Sequence, residues 1–369
     1  MEAPPLPCQV KTIGIDARFA DTGTGLGRYT RELVTRLVNS RPDGVQFVSS
    51  LSADAARRVQ FVLLVCDLSA PWLLRLPKEN IQLSSFSFHH YSLAEQILLP
   101  ILIKKNKVDV FWSPHFNVPY FCPVPFVVTI HDLILHRYPN QASWFKRLAY
   151  NFLFKHAVHN AQSIIAVSHF TESELTNVYG ARLSQKTTVI PEGVPGVFHP
   201  YTTEEAALVL ERYGISEPFF LYVGNAKEHK NLGLLLDAFE KLEDADASLV
   251  LVSGGKELER MTLPARTHVL HDVSDLDLAH LYALAKAFVT PSLYEGFGLP
   301  IVEAAACDCP IIAIKGSAVS EVAPKTAMLI DPTISALSHA LRNPPVRSGA
   351  TPQKSWDQVA QETLVVLLS

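Results

Sequence analysis

Short apolar runs alternate with helix-patterned segments along almost the whole of this chain, and that alternation limits the folds open to it. Apolar runs of the length of a buried strand occur at 12–16, 60–66, 108–112, 126–133, 164–168, 219–223, 247–253, 288–290 and 309–313. After the first of these runs, Leu33, Val34, Leu37 and Val38 recur at the period of a helix. The pattern predicts an α/β fold in which helices cover both faces of parallel sheets.

The length of the chain predicts two domains. A single domain rarely reaches 369 residues, and the prolines and glycines between Pro191 and Pro200 have the composition of a linker. We therefore expect one Rossmann-like domain over 1–192 and a second over 193–353.

Composition excludes several classes of protein. Hydrophobic residues make up 48% and charged residues 18%, which excludes a disordered chain, and a net charge of -4 argues against a nucleic-acid partner bound by broad phosphate neutralisation. The five cysteines lack a C-x-x-C pair, so we expect small buried thiols in a reducing compartment. The first residues do not resemble a signal peptide and no apolar run is long enough to span a bilayer, which predicts a cytoplasmic protein.

The stretch 291–306, PSLYEGFGLPIVEAAA, carries the most specific pattern. A loop with Gly296 and Gly298 leads into a helix predicted to start at Pro300, where backbone N–H groups and the helix dipole suit a phosphate. Glu295 and Glu303 bracket the loop and could contact different parts of one ligand. Acidic residues near a helix start are also stabilising without a ligand, so the two glutamates alone leave both explanations open.

The string Glu295-Gly-Phe-Gly-Leu-Pro followed by Glu303 resembles the E-x7-E signature of the retaining group 1 glycosyltransferases of family 4. The resemblance extends over nearly the whole chain, from Ile13 to Asp331 and again near Trp356. It implies the GT-B fold, in which two Rossmann-like domains face each other across a cleft and a C-terminal helix, here about 354–369, crosses back to the first domain.

By resemblance, the first domain binds the acceptor and the second binds the nucleotide sugar. Glu295 would orient the sugar hydroxyls and stabilise charge, and Glu303 would bind the ribose. Backbone groups near Val273 would read the nucleotide base. The motif loop would also contact the donor, through Gly296, Phe297, Gly298 and Leu299.

A second turn, after the apolar run at 219–223, places a lysine just before a helix. Lys230 and the N–H groups of that helix meet at one place, where a diphosphate could bind. In the family a Y-V-G turn followed by K-N binds the diphosphate, which makes Gly224 and Lys230 donor-site residues by resemblance. Asn225 and His229 stand where many relatives carry arginine, and Lys227 or His229 could supply that charge.

The first half has a glycine-rich loop over 21–27, before a helix predicted to start near Arg28. Such a loop can bind phosphate, but a plain tight turn is an equal alternative. The glycines lack G-x-G-x-x-G spacing, which argues against an NAD-linked oxidoreductase. By resemblance to a G-x-G-R-Y loop of the family, Gly25 and Gly27 contact the donor.

His131 and Asp132 end the apolar run at 126–133, where ligands gather in open α/β sheets. Such a pair is more often structural than catalytic. The histidine at this place in the family reaches the transferred sugar, so the resemblance makes His131 a catalytic-site residue that contacts a hydroxyl, and not a base.

The segment 144–160, WFKRLAYNFLFKHAVHN, predicts an amphipathic helix. Its apolar face would consist of Trp144, Phe145, Leu148, Ala149, Phe152 and Leu153. We favour packing of this face on the sheet, with a solvated basic edge. The alternative is peripheral contact with the inner face of an anionic membrane, since many similar enzymes use lipid-linked acceptors.

The resemblance implies a retaining, metal-independent hexosyltransferase that uses a nucleotide diphosphate sugar and a glycan or lipid-linked acceptor in cell-surface polysaccharide synthesis. Lys230 and the helix start after Gly298 would stabilise the departing diphosphate. No aspartate cluster has metal-site spacing, so we expect no metal and no cofactor besides the donor. The motif is similar to those of mannosyl- and rhamnosyltransferases, which makes GDP-mannose the first expectation and a UDP-sugar the second. The alternative is a non-catalytic two-domain protein that binds sugars or nucleotide sugars.

Overall fold

The computed structural model describes residues 10–39, 59–86, 88, 90–139, 144–215, 218–242 and 247–369. These residues form two compact units. The first unit comprises the described residues up to Val167, together with Thr171–Glu192 and Trp356–Ser369. The second comprises Ser168–Phe170 and Gly193–Ser355.

The first unit is built on a parallel sheet of seven strands in the order β3-β2-β1-β4-β5-β6-β7. Its strands are β1 (Lys11–Asp16), β2 (Val59–Val65), β3 (Ile81–Ser85), β4 (Val110–Ser113), β5 (Phe126–Ile130), β6 (Ser163–Ala166) and β7 (Thr187–Val189). The helices along this part of the chain are α1 (Gly25–Asn39), α2 (Leu93–Lys105), α3 (Ile134–Arg137), α4 (Trp144–Asn160) and α5 (His169–Tyr179).

The second unit has a parallel sheet of six strands in the order β10-β9-β8-β11-β12-β13. Its strands are β8 (Phe219–Val223), β9 (Ser248–Val252), β10 (Thr267–Leu270), β11 (Ala287–Thr290), β12 (Ile311–Ile314) and β13 (Met328–Ile330). Its helices are α6 (Thr203–Ala206), α7 (Leu208–Tyr213), α8 (Leu232–Glu240), α9 (Asp275–Leu284), α10 (Leu299–Ala306), α11 (Val319–Val322) and α12 (Ile334–Arg342). The last helix, α13 (Trp356–Leu368), belongs to the first unit.

The first strand of each unit, β1 or β8, lies inside its sheet. The next two strands are added on one side of it and the later strands on the other side, so the strand order reverses between β1 and β4 and between β8 and β11. The central strands of both sheets are buried along nearly their whole length, as in β11, where every residue is buried, because helices cover both faces. This confirms the predicted α/β class with parallel sheets. Ligands of open α/β sheets bind beyond the carboxyl ends of the strands at such reversal points.

The strands that sequence patterns missed lie at the edges of the sheets. β3 and β7 end the first sheet, and β10 and β13 end the second. Each is only partly buried, with residues that alternate between half-buried and exposed in β7 and β13. An edge strand has one covered side, so its sequence does not show the continuous apolar run of a central strand.

The helix after β1 starts earlier than predicted. It begins at Gly25, with Thr24 Oγ1 accepting a hydrogen bond from Gly27 N at 3.3 Å, so both glycines lie in the first helical turn and not in a loop before it. A Cβ on Gly27 would lie 2.0 Å from Thr22 O, whereas a Cβ on Gly25 would meet nothing within 4 Å. Gly27 is therefore required by packing, and Gly25 faces open space.

Two other predictions about side chains are wrong. Trp144, Leu148, Ala149 and Phe152 of the predicted face of α4 are exposed, Leu153 is half-buried, and the side chain of Phe145 lies outside the described residues. The helix is instead anchored in the core by Phe154, Ala157 and Val158. Among the described cysteines, Cys307 and Cys309 are buried but Cys66 is exposed, while Cys8 lies outside the described residues. None of the helices in the described part of the chain is both long enough and apolar enough to cross a membrane.

Candidate active site

The reversal point of the second sheet brings together a lysine and a glutamate that are far apart in sequence. Lys230 lies in a short 3-10 turn, Glu228–Lys230, between β8 and α8, and Glu295 lies in the loop between β11 and α10. Lys230 Nζ is 2.7 Å from Glu295 Oε1 and 2.8 Å from Oε2. The side chains are only 18% and 14% exposed, so the ion pair is partly desolvated and still reachable from solvent.

Backbone hydrogen bonds hold the two loops in this arrangement. Leu293 N donates to His229 O at 2.8 Å, which ties the motif loop to the turn that carries Lys230. Glu295 N donates to Ser317 Oγ at 3.2 Å, and Ala318 N donates to Glu295 O at 3.2 Å. Because its main chain is fixed on both sides, Glu295 presents its carboxylate in a defined position.

The helix that follows the motif loop starts beside Glu295. Gly298 precedes α10 with φ 102° and ψ 56°, and a Cβ at this position would lie 3.2 Å from Ile301 Cδ1 and 3.9 Å from Glu295 Cβ. Glycine adopts this conformation without strain. Pro300 is the second residue of α10, one position further in than predicted, and Phe297 is buried and anchors the loop. The start of α10 offers an anion a positive dipole end next to Lys230.

His229 cannot supply the charge that many relatives place here as arginine. Burial lowers the pKa of His229, the neighbouring Lys230 lowers it further, and the pKa falls to about 4. The imidazole is therefore neutral near pH 7. Lys227 is exposed in the same turn, where its backbone N–H donates to Asn225 Oδ1 at 3.2 Å. Of the two substitutes predicted from sequence, Lys227 alone brings a positive charge.

The remaining donor-site candidates lie around the same edge of the sheet. Gly224 directly follows β8, and Val273 follows β10, so parallel strands place both at the carboxyl edge that carries Lys230 and Glu295. Glu303 is 2% exposed within α10 and accepts a hydrogen bond from Tyr282 Oη at 3.5 Å. Glu303 therefore lies below the surface at this edge of the sheet.

His131, in the first unit, has both ring nitrogens against oxygen acceptors. Nδ1 lies 3.0 Å from Glu192 Oε1, and Nε2 lies 2.9 Å from Pro114 O. A neutral imidazole has one N–H and could donate only one of these bonds. Burial lowers the pKa of His131, but the hydrogen bond and charge of Glu192 outweigh burial and raise it. The ring is suited to donate two hydrogen bonds and not to accept a proton.

A cavity of about 800 Å³ opens beside His131 within the first unit. Aromatic and apolar side chains form most of its wall, including Tyr91, Phe116, Tyr150 and Leu153. His115 also lines it, and burial followed by the charges of His131 and His90 lowers the pKa of His115 well below its usual value. The cavity can therefore take a ligand with a large apolar surface.

Sequence patterns missed a buried charged network at the end of β1. Arg18 Nη2 lies 2.5 Å from Asp16 Oδ2 and 2.5 Å from Glu95 Oε1, and Asn117 Nδ2 donates to Glu95 Oε1 at 2.8 Å. The Arg18 guanidinium also lies 5.1 Å from the centre of the Phe86 ring. In the sequence, the charged residues Asp16 and Arg18 at the end of a strand could have indicated this network. The third member, Glu95, is 77 residues away from Arg18 and could not be paired with it from the sequence.

Two family models match the chain. One, described as "Glycosyltransferase Family 4", matches residues 23–195, and the other, described as "Glycosyl transferases group 1", matches residues 212–343. The first covers most of the first unit and the second covers most of the second unit.

Curated relatives and solved structures agree with these models. The chain is 28% identical to the O-antigen chain mannosyltransferase B of Escherichia coli, over 91% of this chain and 89% of the relative. It is 24% identical to the O-antigen chain mannosyltransferase RfbU of Salmonella typhimurium, over 86% and 85% of the two chains. The structure of Anabaena HepE in complex with UDP and glucose is 16% identical and matches with a TM-score of 0.71, over 98% of this chain and 100% of that one. The predicted GT-B fold is confirmed.

Proposed function

The chain belongs to the group 1 glycosyltransferases of family 4. On that premise we propose that it transfers a hexose from a nucleotide diphosphate sugar to a hydroxyl of a glycan or lipid-linked acceptor. Mannose is the first hexose we propose. The product would enter a cell-surface polysaccharide. Two relatives named as O-antigen chain mannosyltransferases support both the sugar and the pathway class. GDP-mannose is the first donor to test and a UDP-sugar the second.

The Lys230–Glu295 ion pair carries this proposal. Breaking the anomeric C–O bond places negative charge on the leaving diphosphate and positive charge on the sugar ring. Lys230 and the start of α10 stabilise the first charge, and the Glu295 carboxylate stabilises the second. The pair is preformed with opposite charges in contact, so donor binding inserts the diphosphate and sugar between two groups that already have the required signs.

The other site residues have supporting roles in the proposal. Gly224, Gly296 and Gly298 let the phosphates approach the backbone, Lys227 adds positive charge at the rim, and Glu303 binds the ribose. A carboxylate can accept several hydrogen bonds, so Glu303 can bind a ribose hydroxyl and keep its contact with Tyr282 Oη. A donor phosphate oxygen takes the acceptor proton, so no side chain is needed as base.

The first unit receives the acceptor in this proposal. The aromatic cavity beside His131 provides flat apolar surfaces on which a sugar ring or an isoprenoid-like chain can pack. His131 keeps the wall of this cavity in place through Glu192 and Pro114, and it contacts a substrate hydroxyl only by exchanging one of these bonds.

The test is protein-dependent release of nucleoside diphosphate from a panel of nucleotide sugars, with no added metal and with candidate acceptors. We expect turnover of GDP-mannose that is lost in Lys230→Ala and Glu295→Gln. Lys315→Ala is the matched control, since Lys315 forms an exposed ion pair with Asp331 at 2.8 Å in the same unit. Donor binding without turnover would favour the non-catalytic binding protein, and no binding at all would refute the site.

A further inference from the structure

A three-residue segment at the start of α5, Ser168–Phe170, is part of the second unit, although the residues on either side of it are part of the first. We name it the serine segment. Ser168 is buried, and its hydroxyl donates to the carbonyl oxygen of Gly296 at 2.6 Å. Gly296 directly follows Glu295 in the motif loop. The bond therefore holds the main chain next to the carboxylate that the proposed function uses.

The serine segment also contacts the residue that precedes Glu295. The ring of Phe170 packs edge-on against that of Tyr294, with ring centroids 5.7 Å apart and an angle of 67° between the planes. Tyr294 is only 4% exposed, so its ring is held by the surrounding core. The motif loop is therefore contacted by the serine segment on both sides of Glu295.

Glu321, on α11, holds the serine segment in place. Its Oε1 accepts a hydrogen bond from His169 N and its Oε2 accepts one from Phe170 N, each at 3.0 Å. These N–H groups lie in the first turn of α5, where they have no carbonyl partner within their own helix and where the helix dipole favours a carboxylate. Glu321 N in turn donates to Ala318 O at 3.0 Å, and Ala318 N donates to Glu295 O at 3.2 Å. The contacts thus form a closed path that begins and ends at the motif loop.

We propose that Ser168 and Glu321 are positioning residues, which hold the main chain around Glu295 so that its carboxylate meets the positive charge that forms on the transferred sugar. A fixed charge stabilises a transition state only where that charge develops, and a displacement of about 1 Å can cost up to about a hundredfold in rate. Neither positioning residue contacts the reacting atoms in this proposal. The inference rests on the proposed function, because the role of Glu295 in sugar transfer comes from it.

The test is steady-state kinetics with the preferred nucleotide sugar. Ser168→Ala and Glu321→Ala should each lower kcat about tenfold, because the carboxylate is no longer held in place. The KM for the donor should change less than about twofold, since Lys230 and the start of α10 bind the diphosphate. Ser338→Ala is the matched control and should leave both constants unchanged. Ser338 is also buried and also donates to a main-chain carbonyl, Ala238 O at 3.2 Å, but near the end of α8 that is remote from Lys230.

A double-mutant cycle with Glu295→Gln separates positioning from simple stabilisation of the fold. In the Glu295→Gln background, Ser168→Ala should lower kcat by less than about a further twofold, because no carboxylate is left to position. Glu321→Ala should behave in the same way, and it answers the question if Ser168→Ala does not fold, since Glu321 is exposed.

The inference is overturned if Ser168→Ala and Glu321→Ala keep the kcat of the wild type, or if their losses multiply with that of Glu295→Gln. A loss of activity in Glu295→Gln without a loss in these two variants refutes this inference alone. If Glu295→Gln itself keeps the kcat of the wild type, the proposed function is refuted and this inference with it.

Discussion

The two sheets reverse direction in the same way, yet they use charge differently at the reversal points. In the first unit, Arg18 is paired with Asp16 and Glu95, and all three side chains are at most 1% exposed. In the second unit, Lys230 is paired with Glu295, and both side chains remain partly exposed. The first group is sealed inside the protein, whereas the second can exchange partners with a ligand.

The contrast follows from what covers each strand end. In the first unit, α2 supplies Glu95, and Phe86 and Phe88 place their rings near Arg18, whose side chain is 0% exposed. In the second unit, the side chains of Lys230 and Glu295 keep 18% and 14% of their surface exposed, so this strand end is not fully covered. A topological position predicts where a site can form, and the side chains above it decide whether a ligand can enter.

The largest expected effect tests the sealed network. Arg18→Met leaves two carboxylates buried without a counter-charge and should lower the free energy of unfolding by about 3–5 kcal/mol. Arg36→Met is the control, because Arg36 pairs with Glu32 on the helix surface, with side chains 27% and 25% exposed, and should cost less than about 1 kcal/mol. Urea unfolding of both variants measures the difference, and equal losses would remove the contrast between the two units.

The second effect concerns the open pair. Glu295→Gln should reduce transfer about a hundredfold or more, since the sugar charge is no longer stabilised. It should also bind free nucleoside diphosphate several-fold more tightly than wild type, because Lys230 no longer has to leave a carboxylate. Calorimetry with the diphosphate measures this, with Lys230→Ala as the variant that binds weakly. Weaker diphosphate binding in Glu295→Gln would show that the pair does not exchange.

The third effect separates packing from ligand contact at the start of α1. Gly27→Ala should destabilise the protein by about 1–3 kcal/mol, since its Cβ would meet Thr22 O at 2.0 Å. Gly25→Ala should be neutral or slightly stabilising, because nothing lies within 4 Å of its Cβ. If Gly25 faces the donor, Gly25→Ala should nevertheless raise the KM for the donor. An unchanged KM would show that Gly25, in the first turn of α1, has no role in donor binding.

The fourth effect is a pH dependence at His131. Its folded pKa is raised above 6.5, so its ion pair stabilises the protein fully below that pH and the stabilisation is lost as the pH rises through the folded pKa. His131→Gln should therefore cost on the order of 1 kcal/mol more at about pH 5.5 than at about pH 9. The free energy of unfolding of wild type and His131→Gln, measured at both pH values, gives this difference. His159→Gln, at an exposed histidine, is the control. An equal cost of His131→Gln at both pH values would contradict an imidazolium at this position.

The smallest effect concerns Lys227. Lys227→Ala should raise the KM for the nucleotide sugar roughly two- to fivefold with little change in kcat, because a rim charge contributes modestly to ground-state binding. Lys241→Ala, an exposed lysine just after α8, should change neither constant. Steady-state kinetics with the preferred donor decide this, and equal constants for both variants would show that no charge replaces the arginine of relatives.

Asp308 shows how a turn residue can acquire a structural role. It has a left-handed backbone conformation with φ 55°, which glycine adopts most readily. Its carboxylate accepts hydrogen bonds from Ser348 N at 3.3 Å and Gly349 N at 2.9 Å, and its carbonyl accepts one from Arg347. The segment around Ser348 and Gly349 is thus held at this turn, a contact that sequence patterns did not predict.

The sequence by itself determined the α/β class, most central strands and the 291–306 motif, because the periodicity of strands, helices and glycine turns is local. Only the tertiary structure decided the pairing of Lys230 with Glu295 across 65 residues, the two acceptors around His131 and the burial of Arg18. It also decided that α4 turns Leu148 outward, since a helix with apolar residues on several sides does not specify which side meets the core. Such choices depend on strand order and on neighbouring elements, which no local window of residues contains.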